Sequence, residues 1–266
     1  MLLTPFRQSI YKALMLIPKG RVTTYKEIGN YLNSNALRSI GTAISKNPYA
    51  PVVPCHRVVK SSAEVGKYSS KRGEMEKIIL LMQEGVEIEN KRVKNFKDYL
   101  YRFEDIPTDL ILGSSNLFLV RMKEEYIESI KKILEDKEVT KFTFENIKEP
   151  LEFIRNNFNF DSNLGLSAII KRDTKEVVGF GGIERFDEDS YEFGYVIDKR
   201  FWGEGYGFEI AQAQLTYLKI CYPNSKIVAT THPDNIYSKN ILSRLGLELK
   251  KRVWLPDRGE RELFAL

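Results

Sequence analysis

Asn47-Pro-Tyr-Ala-Pro-Val-Val-Pro-Cys55-His56-Arg57-Val-Val59 is the stretch on which the reading of this chain turns. Prolines restrict the backbone around the cysteine and β-branched valines surround it, a pattern that predicts a partly buried, extended segment with a fixed sulfur. A nucleophilic cysteine needs its thiolate, so a thiol of ordinary pKa near 8.5 requires a neighbouring cation, base or helix dipole. His56 is adjacent, but neighbours on a strand point to opposite faces. A bridging water or a local kink is therefore expected between them.

Upstream, Phe6, Ile10, Ala13, Leu14 and Ile17 fall at helical spacing between Pro5 and the stop Pro18-Lys-Gly20, which predicts a helix over Pro5 to Ile17. Thr24-Tyr-Lys-Glu27 has the form of a capping box opening a short helix, and Ser34-Asn35 are placed to cap a third from Ala36 to Ser45. Two short helices joined by a tight turn have the outline of a helix-turn-helix. Glu84 is expected at a helix C-terminus, where the dipole disfavours an acid, so it calls for a specific partner.

Residues 1–106 hold 18 Lys and Arg against 10 Asp and Glu, net +8; the remainder holds 23 against 26, net −3. A basic front suits a polyanionic partner. The chain has 266 residues, 42% hydrophobic and 29% charged, which excludes wholesale disorder and leaves room for two domains of ~100–150 residues each. The Pro-, Gly- and Ser-containing stretch 104–115 marks a linker between domains 1–103 and 116–266. Membrane spanning is not expected, since no apolar run approaches the ~20 residues required. MLLTPFRQSI at the start lacks a secretory pattern, so a cytoplasmic protein with access to DNA is expected. Cys55 and Cys221 are too few and too distant for a disulfide framework, and Cys221 reads as packing at a helix end.

Pro54-Cys-His-Arg-Val58 resembles the active-site signature of the O6-alkylguanine-DNA alkyltransferases. Thr4-Pro-Phe6, Ile17-Pro-Lys-Gly20, Val22-Thr-Thr-Tyr25, Arg38-Ser-Ile-Gly41, Asn47-Pro48, Val65-Gly-Lys-Tyr68-Ser69 and Leu80-Leu-Met-Gln-Glu84-Gly85 follow that family's order. The resemblance covers residues 4 to 95. It implies a mainly α winged helix-turn-helix whose recognition helix enters the minor groove of double-stranded DNA carrying O6-alkylguanine. The target nucleotide would be flipped out of the stack, with Arg38 filling the gap and Ser39 and Thr42 beside it on the DNA. Cys55 would take the alkyl group, His56 and Glu84 would draw off its proton through a water, and Tyr25 would protonate the departing base. Asn47 would brace the active-site turn, while Tyr68 and Ser69 would line the base pocket. The thioether product would limit each molecule to one transfer, with no cofactor. Ser70-Lys71 stands where the family has a glycine pair, and the domain that precedes many members is not expected here.

Beyond Asn116 the order reads strand (117–121), helix (124–134), helix (149–157) and strands 165–171, 177–185 and 191–197. Arg200-Phe-Trp-Gly203-Glu-Gly205-Tyr-Gly207 follows, leading into a helix with apolar Ile210, Ala211, Leu215 and Leu218. A strand, a glycine turn and a helix start together form an anion site, because free N–H groups and the dipole converge on it. The turn has neither a Gly-Lys-Ser/Thr nor a dinucleotide fingerprint. With the strand 226–231, Asn235-x-x-Ser238 and Arg244-Leu-Gly-Leu247, the arrangement resembles the GNAT acetyltransferase superfamily, which implies an α/β fold with a mixed, mostly antiparallel sheet.

That resemblance makes Trp202, Gly203, Glu204, Gly205, Tyr206 and Gly207 the pyrophosphate loop for acetyl-CoA, with Asn235 and Ser238 on its arm and an amine as acceptor. Glu192 is the expected base and Ser238 the expected donor to the departing thiolate. His232 reads as a turn residue, and two histidines give no support to a zinc site. An alternative stays open: a lesion-sensing DNA-binding protein that transfers nothing, joined to an acetyl-CoA-binding regulatory domain.

Overall fold

The computed structural model describes residues 3–144 and 147–266. The chain divides into two compact units, one of Met1–Ile106 with Gly113–Asn116 and one of Pro107–Leu112 with Leu117–Leu266.

In the first unit, helix α1 (Pro5–Met15) starts on Thr4, whose hydroxyl accepts from the Arg7 N–H, and buries Ile10, Tyr11, Ala13 and Leu14. It stops two residues short of the expected Ile17. The Leu16 and Ile17 amides reach back only three residues, to Ala13 and Leu14, as the chain tightens before Pro18. Strand β1 (Thr23–Thr24) runs directly into α2 (Tyr25–Tyr31), and Thr24 caps that helix through the Glu27 N–H at 3.1 Å. Helix α3 (Leu37–Ser45) buries Ile40, Ala43 and Ile44. Its N-cap is Ala36, with no side-chain cap. The cap expected from Ser34-Asn35 is displaced, because the Ser34 hydroxyl is spent on the Ala36 N–H ahead of the first turn.

Cys55–Arg57 form a short 3-10 turn and not the expected extended segment. The Arg57 amide closes onto Pro54 O, and only then does the chain extend into β2 (Val58–Val59). β2 pairs in parallel with β1, Thr23 opposite Val58. Helix α4 (Glu74–Gln83) follows, then the hairpin of β3 (Ile88–Glu89) and β4 (Arg92–Val93), and α5 (Phe96–Tyr99). Val22, Val59, Val65, Leu81, Val86 and Val93 form the core that joins these pieces.

The second unit is an eight-stranded mixed sheet. Its strands are β5 (Leu110–Gly113), β6 (Leu117–Val120), β7 (Gly165–Lys171), β8 (Val177–Arg185), β9 (Ser190–Ile197), β10 (Lys226–Thr231), β11 (Glu248–Leu255) and β12 (Gly259–Ala265), in the spatial order β11-β12-β10-β9-β8-β7-β6-β5. β5 lies inside the stretch expected to be a linker: its buried Ile111 and Leu112 belong to a sheet edge despite the neighbouring Pro and Gly. Helices α6 (Glu124–Glu135), α7 (Lys137–Thr140) and α8 (Pro150–Asn157) precede β7, α9 (Tyr206–Cys221) follows β9, and α10 (Ile236–Arg244) follows β10. The mixed, mostly antiparallel sheet is as expected, with β9 and β10 running parallel.

That pair sets up the site. Register runs only from Ser190–Lys226 to Glu192–Val228, while β9 continues to Ile197 and β10 to Thr231. The strands part beyond Glu192, leaving backbone groups of Phe193 to Ile197 without a strand partner on that side. Gln214 of α9 donates to the freed Gly194 carbonyl at 3.2 Å.

Candidate active sites

The β1–β2 pairing carries Tyr25, the first residue of α2, to the side of the turn that holds Cys55. Cys55 is 6% exposed. Its surroundings are polar: Tyr68, Tyr25 and Lys77 all lie close enough to feel its charge. Asn47 donates to Val53 O at 2.8 Å and accepts from the Tyr49 N–H at 3.0 Å, holding the chain that leads to the cysteine. The 3-10 turn supplies the kink between Cys55 and His56, so the two side chains are not thrown to opposite faces as a strand would throw them.

His56 is 2% exposed. Its Nε2 lies 2.9 Å from Glu84 Oε1. A carboxylate there can only accept, so the Nε2 side of the ring donates to it. Nδ1 is buried without a hydrogen-bond partner among the described residues. Glu84, the C-cap of α4, is gripped further by Arg57, with Nε at 2.9 Å and Nη2 at 2.8 Å. Burial alone would raise the Glu84 carboxyl, but the hydrogen bonds from His56 and Arg57 prevail and hold it down to about 2. The partner expected for an acid at a helix end is therefore this pair.

Lys77 is a functional candidate that the sequence reading passed over. It is 2% exposed, its Nζ donates to Val58 O at 2.6 Å, and burial lowers its pKa to about 8 against the opposing pull of Cys55 and Glu74. The available signal was its spacing: Lys77, Leu81 and Glu84 lie four and three residues apart, on one face of the helix. Tyr25 and Tyr68 both have raised pKa values, burial first and the Cys55 charge second.

Arg38, Ser39 and Thr42 occupy the exposed face of α3, opposite Ile40, Ala43 and Ile44. Thr42 donates its hydroxyl to Arg38 O at 3.0 Å. Ser69 is exposed beside the half-buried Tyr68.

In the second unit, Gly203 and Gly205 have φ of +87° and +82°, the left-handed region in which other side chains are strained. Gly205 is the N-cap of α9 and brings no side-chain cap, which leaves the first helical N–H groups without that partner. This fits a pyrophosphate. Trp202 anchors the turn by donating its indole N–H to Ile197 O at 2.8 Å, while Glu204 is exposed. A Cβ at Gly207 would sit 3.1 Å from the Tyr195 ring and 3.4 Å from Ile241, so the helix start lies close against β9 and α10.

A cavity of about 110 Å³ at the parting of β9 and β10 brings together Glu192, Tyr195, Asn235, Ser238 and Arg258; the glycine turn does not line it. Asn235 caps α10 by accepting from the Ser238 N–H at 3.1 Å. Ser238 stands beside the Tyr195 hydroxyl, whose pKa burial pushes up to about 12. Glu192 is 6% exposed. Its Oε1 accepts from the Thr230 N–H at 3.1 Å, from the Thr230 hydroxyl and from Arg258 Nη1 at 3.3 Å; its Oε2 accepts from Arg258 Nη2 at 2.9 Å. A carboxylate engaged on both oxygens by a guanidinium and a threonine is held in one orientation. These bonds hold Glu192, the residue expected as base, between Arg258 and Thr230 in the cavity it shares with Ser238. His232 accepts from the Asp234 N–H at 3.1 Å in the turn after β10, and Cys221 is the last residue of α9. Among the described residues no cluster suited to a metal ion occurs, and no helix is long and apolar enough to cross a membrane.

One unit thus holds a thiol on a turn with an imidazole–carboxylate pair, and the other a parted sheet beside a glycine turn that opens a helix. Residues 5–86 match the family described as 6-O-methylguanine DNA methyltransferase, DNA binding domain, and residues 116–248 match the acetyltransferase (GNAT) domain. The chain belongs to the GNAT acetyltransferase family and carries an alkyltransferase DNA-binding domain ahead of that fold. A methylated-DNA–protein-cysteine methyltransferase of Saccharolobus islandicus is 46% identical over 84 residues, 32% of this chain and 53% of that protein. The chain thus spans about half the length of the curated relatives it matches. An S. pombe protein solved in complex with damaged DNA containing O6-carboxymethylguanine is 31% identical, over 38% of this chain and 98% of that one, with a TM-score of 0.34. A GNAT-family acetyltransferase from Bacillus anthracis is 19% identical, over 57% of this chain and 94% of that one, with a TM-score of 0.49.

Proposed function

We propose that the first unit takes an alkyl group from guanine O6 in double-stranded DNA onto Cys55, once per molecule, and that the second moves the acetyl group of acetyl-CoA to an amine. The observation that supports the first reading best is the Glu84–His56 pair on the turn that carries Cys55, with a buried Nδ1 that has no partner among the described residues. Water carries the thiol proton to that nitrogen, Nε2 stays pinned to Glu84, and Lys77 steadies the thiolate. The sulfur–carbon bond forms as the carbon–O6 bond breaks. Tyr25, kept protonated by burial, gives its proton to the departing guanine.

The exposed face of α3 presents Arg38, Ser39 and Thr42 to the minor groove, where a planar guanidinium can stack in the space left by the flipped nucleotide. Tyr68 and Ser69 edge the pocket for the base. The test is the intact mass of the full chain after incubation with O6-methylguanine DNA: one added methyl, mapped to Cys55, is expected. Binding without added mass is the lesion-sensor outcome and overturns the transfer reading.

In the second unit the backbone of residues 203–207 holds the pyrophosphate of acetyl-CoA, with Trp202 tying the turn down. Asn235 and Ser238 stand along its arm, and the Ser238 hydroxyl is the donor to the departing thiolate. Calorimetry with acetyl-CoA tests this reading, and absence of binding overturns it.

A further inference from the structure

We propose that Glu184, on β8, is the group that takes the proton from the acceptor amine during acetyl transfer. This rests on the acetyl-transfer reading of the second unit. Glu184 lies directly opposite Glu192 in the β8–β9 register, so both side chains leave the same face of the sheet only ~5 Å apart at Cβ. Their fates differ. Glu192 is saturated by Arg258 and Thr230, whereas the half-buried Glu184 carboxyl accepts no hydrogen bond among the described residues.

Glu184 lines a cavity of about 640 Å³. Phe144, Leu166 and Arg258 line both this cavity and the smaller one that holds Glu192 and Ser238. An amine entering through the larger space meets Glu184 on the way to the parting of β9 and β10. The charged groups facing Glu184 are Glu192 from β9, Asp257 and Arg258 from the β11–β12 turn, and Lys148, Glu149 and Glu152 at the start of α8 across the cavity. The neighbouring β7 contributes the apolar Leu166. Burial pushes the Glu184 carboxyl above its ordinary value; the Glu192 charge adds to this, Arg258 opposes it and Asp257 adds again. A base moved toward the working pH is a better proton acceptor than one held low.

In the step, the amine nitrogen bonds to the thioester carbonyl carbon, the carbon–sulfur bond breaks and the electron pair leaves with sulfur. The proton of the amine passes to Glu184 and on to solvent through the open cavity.

The test compares the full chain with Glu184→Gln and Glu184→Asp. Acetyl-CoA binding is read by calorimetry, and thiol release is followed from pH 6 to 9 with glycinamide, a seryl dipeptide and putrescine as probe amines. Glu184→Gln is expected to bind acetyl-CoA as the parent does, to lose roughly 100-fold or more in kcat/KM, and to lose the acid limb of its pH profile. Glu184→Asp keeps that limb at a lower kcat. A Glu184→Gln chain within about fivefold of the parent, its acid limb unchanged, overturns the assignment. If the parent binds acetyl-CoA but turns over none of the probes, carbon-13 glutamate spectra decide. A Glu184 carboxyl titrating above 4.5 with acetyl-CoA bound supports the proposal, and one at or below that value overturns it. No binding of acetyl-CoA by the parent defeats the acetyl-transfer reading itself and, with it, this base.

Discussion

Glu84 and Glu192 are the same device in two settings. Each is a carboxylate largely withdrawn from solvent and clamped by an arginine, Glu84 by Arg57 and Glu192 by Arg258, with contacts of 2.8 to 3.3 Å. The difference lies in the third partner. Glu84 also holds His56, a titratable ring whose far nitrogen is free, so the clamp ends in a group that can move a proton. Glu192 holds Thr230, which cannot. An arginine-clamped carboxylate is thus an organiser in both units, and only in the first does the clamp itself end in a group that exchanges protons.

The sharpest way to break this comparison is Cys55→Ser, which leaves the Glu84 clamp whole and removes the sulfur. Alkyl transfer, read by intact mass, should vanish while DNA binding in a gel shift persists; residual transfer would move the chemistry elsewhere. Next in size is Glu84→Gln, which strips the charge that balances Arg57 and orders His56. A loss of ~3–5 kcal/mol in denaturant unfolding is expected for a broken buried pair, with transfer slowed ~100-fold or more.

The same variant tests the pH dependence. The folded pKa of about 2 lies below the ordinary 4.5, so the Glu84 contribution is complete above 4.5 and is lost as pH falls toward 2. Glu84→Gln should flatten the stability profile in that window. Smaller again is Gly205→Ala, at φ +82°. It should cost ~1–2 kcal/mol of left-handed strain and reduce acetyl-CoA affinity in calorimetry by about tenfold. Smallest is Asn235→Ala, which removes the α10 cap and should lower stability by ~1 kcal/mol in thermal unfolding.

Much of the first site was legible because it is local. The proline-framed cysteine, the Thr24 cap that aims Tyr25 and the acid closing α4 can all be read over short spans. The kink at Cys55–Arg57 was not, since valines on either side read as strand and the Pro54 carbonyl that closes the turn leaves no mark in composition. Lys77 was passed over because a lysine in a helix ordinarily faces water, and its burial depends on a carbonyl nineteen residues earlier. In the second unit the glycine turn and the alternation of elements were readable. The clamp on Glu192 was not: Pro256-Asp-Arg-Gly259 marks a turn, but nothing local says that its Arg258 returns to a carboxylate 66 residues earlier. Strand β5 was hidden by the Pro, Gly and Ser around it, which say where a chain turns but not whether a short apolar run between turns finds a sheet edge.

Helix α4 carries Lys77 within it and Glu84 as its cap, seven residues apart on one rigid rod. Their separation along the axis is fixed at ~10.5 Å, and every added residue would turn one against the other by ~100°. This segment can therefore drift in composition on its solvent side but not in count. A one-residue insertion between the two would disarm the thiol more thoroughly than many exchanges of side chains.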